Sequence, residues 1–371
     1  MRILVTGAKG FIGKNLIVEL RNRGYNDIYE VDKETDELSL GKFIRDCDFV
    51  FHLAGVNRPK EESEFVEGNV EFTKHLLTQL EKREKPIPVL FTSSIQAEKD
   101  NPYGRTKRMA EDLIFDYGRK TGAKVFVYRL PNVFGKWCRP NYNSAIATFC
   151  YNIARDLPIT VNDPNVVLKL VYIDDVVNEF INALNGCENR DGKFCEVATQ
   201  YTVKLGDIVD LLYSFKKGRE NLSVPNVGDD FVKKLYSTYI SYLPEEQFSY
   251  QLNMKADERG SFTEFLKTED RGQISVNVIK PGITKGNHWH HTKVEKFLVV
   301  SGEAIIRFRK IDCSEVIEYR VSGNKLEVVD IPPGYTHNIT NIGNSDVVFI
   351  IWANEPFDPQ RPDTYYLEST M

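Results

Sequence analysis

Short apolar runs alternate with amphipathic stretches over the first half of the chain, whereas short runs alone fill the second half. Arg2–Thr6 forms an apolar run, and after a glycine turn Ile12, Leu16, Ile17 and Leu20 recur at helical spacing, with Gly24 placed to end the helix. The next run, NDIYEVD, closes on Asp32, and further strand-like runs follow at Phe49–Leu53, Pro88–Phe91 and Val125–Arg129, with helical patterns such as Val70–Lys82 between them. This alternation predicts an α/β, Rossmann-type, doubly wound parallel sheet. Tyr242–Tyr250 carries a proline and charges and interrupts the pattern. Beyond it the runs Gln273–Ile279, Lys296–Val300, Ala304–Arg309, Lys325–Asp330 and Val347–Trp352 are separated by Gly and Pro turns. They predict an all-β, antiparallel barrel or jelly roll. The chain reads as two domains, residues 1–243 and 252–371.

At 371 residues and 42% apolar content, each domain is large enough to bury a core. A net charge of −5 without a basic run argues against nucleic acid or an anionic membrane as partner. No apolar run approaches membrane-spanning length, and the first strand begins at Arg2, leaving no room for a signal peptide. Cys47, Cys138, Cys150, Cys187, Cys195 and Cys313 form no CxxC and no framework of short spacings, so a reducing, cytoplasmic setting is expected.

Gly7, Gly10 and Gly13, with Phe11 and Ile12 among them, open the first helix. Glycines here let the backbone approach a pyrophosphate at the helix N-terminus, where free N–H groups and the dipole favour an anion. The pattern alone is weak, but it follows a strand and Asp32 lies nineteen residues beyond Gly13, which points to a dinucleotide site. Asp32 suits an adenosine ribose 2′-hydroxyl and so NAD; Lys9 and Lys33 suit a 2′-phosphate and so NADP. Tyr103 and Lys107 are four apart, a spacing that on a helix brings an ammonium near a phenol and favours the phenolate. Ser94 upstream offers a hydroxyl for a substrate oxygen. His52 and His75 read as structural.

In the second half three of the six histidines, His288, His290 and His291, fall within four residues. On a strand His288 and His290 share a face, and Glu295 and His337 complete a set of three imidazoles and one carboxylate. Such a set suits Zn²⁺, Fe²⁺, Mn²⁺, Ni²⁺ or Co²⁺. HxH by itself is as often a surface accident as a site; the added glutamate and fourth ligand shift the balance.

Six motifs, TGAKGFIG at 6–13, HLAG at 52–55, FTSS at 91–94, YGRTK at 103–107, RLPNVFG at 129–135 and YIDDVV at 172–177, resemble in content and order those of extended short-chain dehydrogenase/reductases. The resemblance covers residues 1 to about 240. It implies Tyr103 as acid/base, Lys107 on the nicotinamide ribose and Ser94 on the carbonyl, with Leu53, Ala54 and Gly55 beside the cofactor. It also implies that Asn132 and the segment following it grip a sugar nucleotide. Ser94 and Tyr103 are only nine residues apart, shorter than usual, so Ser93 stands as the alternative.

Gly282, His288, His290, Glu295 and Gly302 are similar to the first cupin motif; Pro332, Gly334, His337 and Asn341 match the latter half of the second, with Leu326 where its opening glycine belongs. Asp257–Glu264, DERGSFTE, resembles a stretch of cupin-class nucleotide-sugar 3,5-epimerases, which implies Arg259 on a diphosphate and Phe262 on a base or sugar. A turn with an ion pair is the plainer reading. Those epimerases use a histidine–aspartate pair without metal, unlike the full ligand set here.

As a whole the chain resembles capsule-biosynthesis enzymes that fuse a reductase to a zinc-binding cupin epimerase. That implies a homodimer with Zn²⁺ and NADPH acting on a UDP-linked 4-keto-6-deoxy-N-acetylhexosamine, epimerised at C3 and reduced at C4. Lys285, Tyr335 and Glu303 stand near the motifs as candidates for the C3 base. A dTDP-4-keto-6-deoxyhexose is the alternative substrate, and a plain reductase with a structural cupin the alternative function.

Overall fold

The computed structural model describes residues 1–370. The chain divides into two compact units, one made of residues 1–213 and 230–244, the other of residues 214–229 and those from 245 onward.

In the first unit Ile3–Thr6 is flanked by Ile28–Val31 on one side and Phe49–His52 on the other; Val89–Ser94 and Val125–Leu130 extend the sheet beyond Phe49–His52, all parallel. Phe194–Cys195 and Arg190–Asp191 finish that edge. Strand alternation sorts the core into two layers. Ile3, Val5, Phe49, Phe51, Phe126 and Tyr128 pack with Leu16, Ile17 and Leu20 of helix Phe11–Asn22 and with Val176, Val177 and Phe180 of helix Ile173–Leu184. Leu4, Val50 and Val127 face the opposite way, toward helices Glu37–Asp46, Phe72–Leu80 and Pro102–Thr121. The expected doubly wound sheet is present. Because the chain leaves the carboxyl ends of Ile3–Thr6 and Phe49–His52 in opposite directions, a crevice opens there, where such sheets bind ligands. The helical pattern read over Val70–Lys82 is realised as Phe72–Leu80.

The second unit holds an antiparallel six-stranded sheet in the order Met254–Asp257, Gly260–Thr268, Gly272–Ile279, Val347–Ala353, Glu295–Ser301, Val328–Ile331. A five-stranded sheet runs Val316–Ser322, Glu303–Lys310, Tyr335–Asn341, Thr284–Trp289, Tyr365–Tyr366, also antiparallel. Ile279, Phe297, Val299 and Phe349 of the first sheet and Ala304, Ile306, Phe308 and Ile339 of the second form one core, so the sheets pack inner face to inner face. Of Lys325–Asp330, expected as one strand, Lys325 makes only an isolated bridge to Ser322, Leu326 and Glu327 are irregular, and the strand starts at Val328. Within this unit residues 222–224 run beside Lys267, bonded through Val224 N–H to Lys267 O (3.0 Å) and Lys267 N–H to Leu222 O (2.8 Å).

Candidate functional sites

A cleft of about 810 Å³ opens at the crevice of the first unit, lined by Gly7, Lys9, Gly10, Phe11, Ile12, Gly13, Leu53, Gly55, Ser94, Tyr103, Lys107 and Asn132. These are twelve of the residues singled out from the sequence. Gly10 stands at the N-terminus of helix Phe11–Asn22 with no side chain capping it, which leaves the first N–H groups facing the cleft. A Cβ on Gly13 would lie 2.3 Å from the Gly7 carbonyl oxygen, so the turn closes only with glycine there. Ala54 packs against Gly7 and donates its N–H to Thr6 Oγ1 (3.2 Å), forming the floor beneath the lining.

Asp32 and Lys33 are not among the lining residues. Lys9 bridges Asp32 (2.7 Å) and Glu34 (2.5 Å), and its ammonium, with the Glu34 N–H, holds the Asp32 carboxyl below its usual range. The acid read as a ribose partner thus comes paired with the base read as a phosphate partner. Lys33 is exposed.

Asn101 caps helix Pro102–Thr121, accepting from Gly104 N–H (2.8 Å), and so fixes Tyr103 and Lys107 one turn apart. Lys107 is buried, with Nζ donating to Thr92 O (2.6 Å) and lying 4.4 Å from the Phe91 ring centre; burial, partly opposed by Glu111, lowers it to about 8. Burial pushes the Tyr103 phenol up, and the neighbouring Ser94 hydroxyl pulls it partly back. Lys107 Nζ is engaged by the Thr92 carbonyl, and burial is the largest influence on the Tyr103 phenol. The two serines separate clearly. Ser93 Oγ donates to buried Glu111 (2.5 Å), which also takes a two-pronged bond from Arg129 (2.9 and 2.7 Å), leaving Ser94 as the hydroxyl facing the phenol.

Trp137, Arg139 and Tyr142, which the sequence reading did not name although they lie in the segment after RLPNVFG, line the same cleft beyond Asn132. Their signal was an aromatic and cationic run in a turn-rich segment. His52 is structural as expected: buried between Thr6 Oγ1 and Thr73 Oγ1 (2.8 Å each), it is lowered to about 3 by burial and then by Lys107.

In the second unit, strands Thr284–Trp289 and Tyr335–Asn341 pair His288 opposite His337, while His290 and Glu295 enter from the loop and strand that follow. One potential ligand atom from each of the four lies within 4.8 Å of every other. His290 Nε2 and His337 Nε2 stand 3.5 and 3.4 Å from Glu295 Oε2, and these three atoms are buried without a hydrogen-bond partner. Burial raises the Glu295 carboxyl, and His290 and His337 outweigh it, holding it well below the usual carboxylate range. Burial and the neighbouring His337 lower His288 to about 4. Three imidazoles and a carboxylate converging in a buried space, with His290 Nε2, His337 Nε2 and Glu295 Oε2 lacking any hydrogen-bond partner, fit a divalent transition metal.

The DERG stretch is a two-residue hairpin turn in which Arg259 bonds the Asp257 carboxylate (2.6 and 3.0 Å), the ion-paired turn of the plainer reading. Phe262 lies opposite Asn277 in the register, and Lys285 Nζ reaches Ser261 O (3.3 Å) and Val278 O (3.0 Å) beside it. A bulge after Gly286 puts Lys285 on the same strand face as His288, since its partner Ile339 lies two residues from His337. Tyr335 lies two residues from His337 on the other side. Glu303 is exposed, and its strand reaches the level of His337 only at Phe308.

The NAD dependent epimerase/dehydratase family model matches residues 3–198, and the polysaccharide biosynthesis C-terminal domain model residues 255–365. A UDP-2-acetamido-2,6-beta-L-arabino-hexul-4-ose reductase from Pseudomonas aeruginosa is 47% identical, over 98% of each chain. The capsular polysaccharide assembling protein CapF of Staphylococcus aureus superposes with a TM-score of 0.95 at 55% identity, covering 99% of this chain and all of that one. The chain belongs to the NAD dependent epimerase/dehydratase family and is CapF-like throughout. Membership in this family implies a nicotinamide cofactor. A UDP-glucuronic acid 4-epimerase of Bacillus cereus, 23% identical with a TM-score of 0.51 over 58% of this chain, shares the fold alone.

Proposed function

We propose that the chain is a bifunctional enzyme of capsule synthesis. Its second unit epimerises a UDP-linked 4-keto-6-deoxy-N-acetylhexosamine at C3, and its first unit reduces the C4 ketone to give a UDP-N-acetyl-6-deoxytalosamine. The reading rests on one observation above the others: buried donor atoms of His290, Glu295 and His337 converge with no protein partner, in a chain that also carries a Tyr103–Lys107–Ser94 cleft. The hexul-4-ose reductase and CapF, each similar along nearly the whole chain, support a UDP-ketosugar and a capsular setting.

His288, His290, Glu295 and His337 would hold a divalent metal, Zn²⁺ in this reading, which when bound would supply Lewis acidity toward the C4 ketone beside the C3 proton. Lys285 and Tyr335 flank the set on its own strands and are the candidates to take that proton and return one to the other face; Glu303 drops out by its position. Arg259 and Phe262 hold the nucleotide diphosphate and its base or sugar. In the first unit, where NADPH when bound would supply the hydride, Tyr103 would give the C4 oxygen its proton, Ser94 would orient that oxygen and Lys107 would hold the ribose. Lys9, beside Asp32, is the residue available to a 2′-phosphate. The second unit is here a cupin-type jelly roll through which two copies pair, and the enzyme works in the cytoplasm; its cysteines are free.

The test is turnover of the UDP-4-ketosugar in heavy water with NADPH or NADH, the product read by mass spectrometry. We expect one solvent deuterium at C3 and faster turnover with NADPH. Reduction without deuterium would leave a plain reductase with a structural second unit, and turnover of the dTDP-ketosugar alone would reassign the substrate.

A further inference from the structure

We propose that Asp363, near the carboxyl end of the chain, is a positioning residue that presets the metal ligands of the second unit, an inference that rests on the metal reading above. His290 and Glu295 are joined by only four residues, and the geometry of those four decides whether both ligands reach one point. Asp363 holds that connection from two sides. Its carboxylate accepts the successive main-chain N–H groups of His291, Thr292 and Lys293 (2.9 Å each) and the Thr292 hydroxyl (3.1 Å). Consecutive N–H groups turned to one point form an anion-binding nest, and here the chain supplies its own anion.

The main-chain carbonyl of the same residue accepts a 2.6 Å hydrogen bond from His290 Nδ1. A carbonyl only accepts, so Nδ1 carries the proton and the lone pair is left on Nε2, the atom that faces Glu295 at 3.5 Å with no other partner. One residue therefore sets both the backbone between two ligands and the tautomer of one of them. A φ of +39° at Asp363 accompanies this double contact.

The segment around Asp363 is tied down independently. Lys293 Nζ donates to Pro362 O (2.6 Å), Tyr365 and Tyr366 pair with Trp289 and His288, Leu367 N–H bonds Asn287 O (3.0 Å), and Arg309 donates to Glu368 O (2.6 Å). The segment is thus an outer strap on the strand that bears His288. Partners of this kind behind ligating histidines fix ring orientation, and their loss typically weakens metal binding about 10–100-fold.

The experiment measures Co²⁺ and Zn²⁺ affinity by chelator competition, and the visible Co²⁺ spectrum, for the full-length wild type, Asp363→Ala, Asp363→Asn and, as control, Asp358→Ala. We expect affinity to fall about 10–100-fold in Asp363→Ala with an altered spectrum, to recover in part in Asp363→Asn, which keeps an acceptor oxygen, and to stay unchanged in Asp358→Ala. A folded Asp363→Ala protein with wild-type affinity and spectrum would overturn this proposal alone. A wild type that takes up neither ion would overturn the metal reading and this proposal with it. Should Asp363→Ala not fold, nitrogen NMR of ¹⁵N-histidine wild type, freed of metal, decides: His290 protonated at Nδ1 supports the preset, and protonation at Nε2 overturns it.

Discussion

Lys107 is a buried ammonium with one main-chain carbonyl and one aromatic face for company, and its position costs the fold stability. Its value falls from 10.5 in the free side chain to about 8, a difference worth roughly 3 kcal/mol. Below pH 8 the lysine is charged in both states and folding carries the full cost. Between about 8 and 10.5 the folded protein releases the proton first, so stability rises with pH, and above that range the cost is gone. Glu111 keeps its bonds to Arg129 when the ammonium is removed. Lys107→Met should therefore abolish ketone reduction yet raise Tm at pH 7, with the advantage shrinking by pH 10. Melting curves at the two pH values check this, and a lower Tm for the variant at pH 7 would refute it. That Tyr103 and Lys107 share one helix face was legible because i, i+4 spacing is local. That Ser93 serves Glu111 and leaves Ser94 to the phenol was not, because it depends on a carboxylate eighteen residues away across the layer.

At the scale of elements, the short stretch between Ser94 and Tyr103 works because it lies directly on the helix it leads into. Asn101 caps that helix, Pro102 starts it and Gly122, at φ +73°, ends it. A Cβ on Gly104 would meet the Gln96 carbonyl oxygen at 2.2 Å and that of Lys99 at 2.6 Å. Gly104→Ala must push helix and loop apart, and we expect ketone reduction to fall more than tenfold. Asn101→Ala should cost only about 1 kcal/mol, seen as a drop of a few degrees in Tm with near-normal turnover. Equal activity losses in the two variants would show that the contact at Gly104 does not hold the site. The central parallel strands were readable because burial on both faces makes them largely apolar, whereas the edge strand Ile28–Val31 carries the exposed Glu30. Val316–Ser322 escaped notice as an edge strand exposed on both faces at all but its last two residues, and in Gly260–Thr268 a bulge between Glu264 and Leu266 breaks the alternation.

For the whole molecule, the sequence showed the order of the two architectures, since the period of the apolar pattern changes between them. It did not show that residues 214–229 group with the second unit, because the helical pattern of Leu205–Asn221 runs on through residue 214 without a break. The candidate metal set was legible in part by spacing, His288 through Glu295 being local and His337 reached through its own motif. Asp363 was not, because an aspartate seventy-three residues from His290 carries no signal until the strap is folded. The cleft with Tyr103 and the set with His290 belong to different units, and the proposed chemistry divides between them in the same way. Stripping the metal with a chelator should then stop deuterium entry at C3 while a ketosugar already inverted at C3 is still reduced at the rate of the untreated enzyme. Tyr103→Phe should do the reverse, allowing exchange at C3 and blocking hydride transfer. Metal binding is also folding energy where ligands come from separate strands, so chelation should lower the melting temperature of the second unit. Product analysis of both reactions, with and without chelator, checks the division, and a chelated enzyme that fails to reduce the inverted ketosugar would show that the two chemistries are not separable.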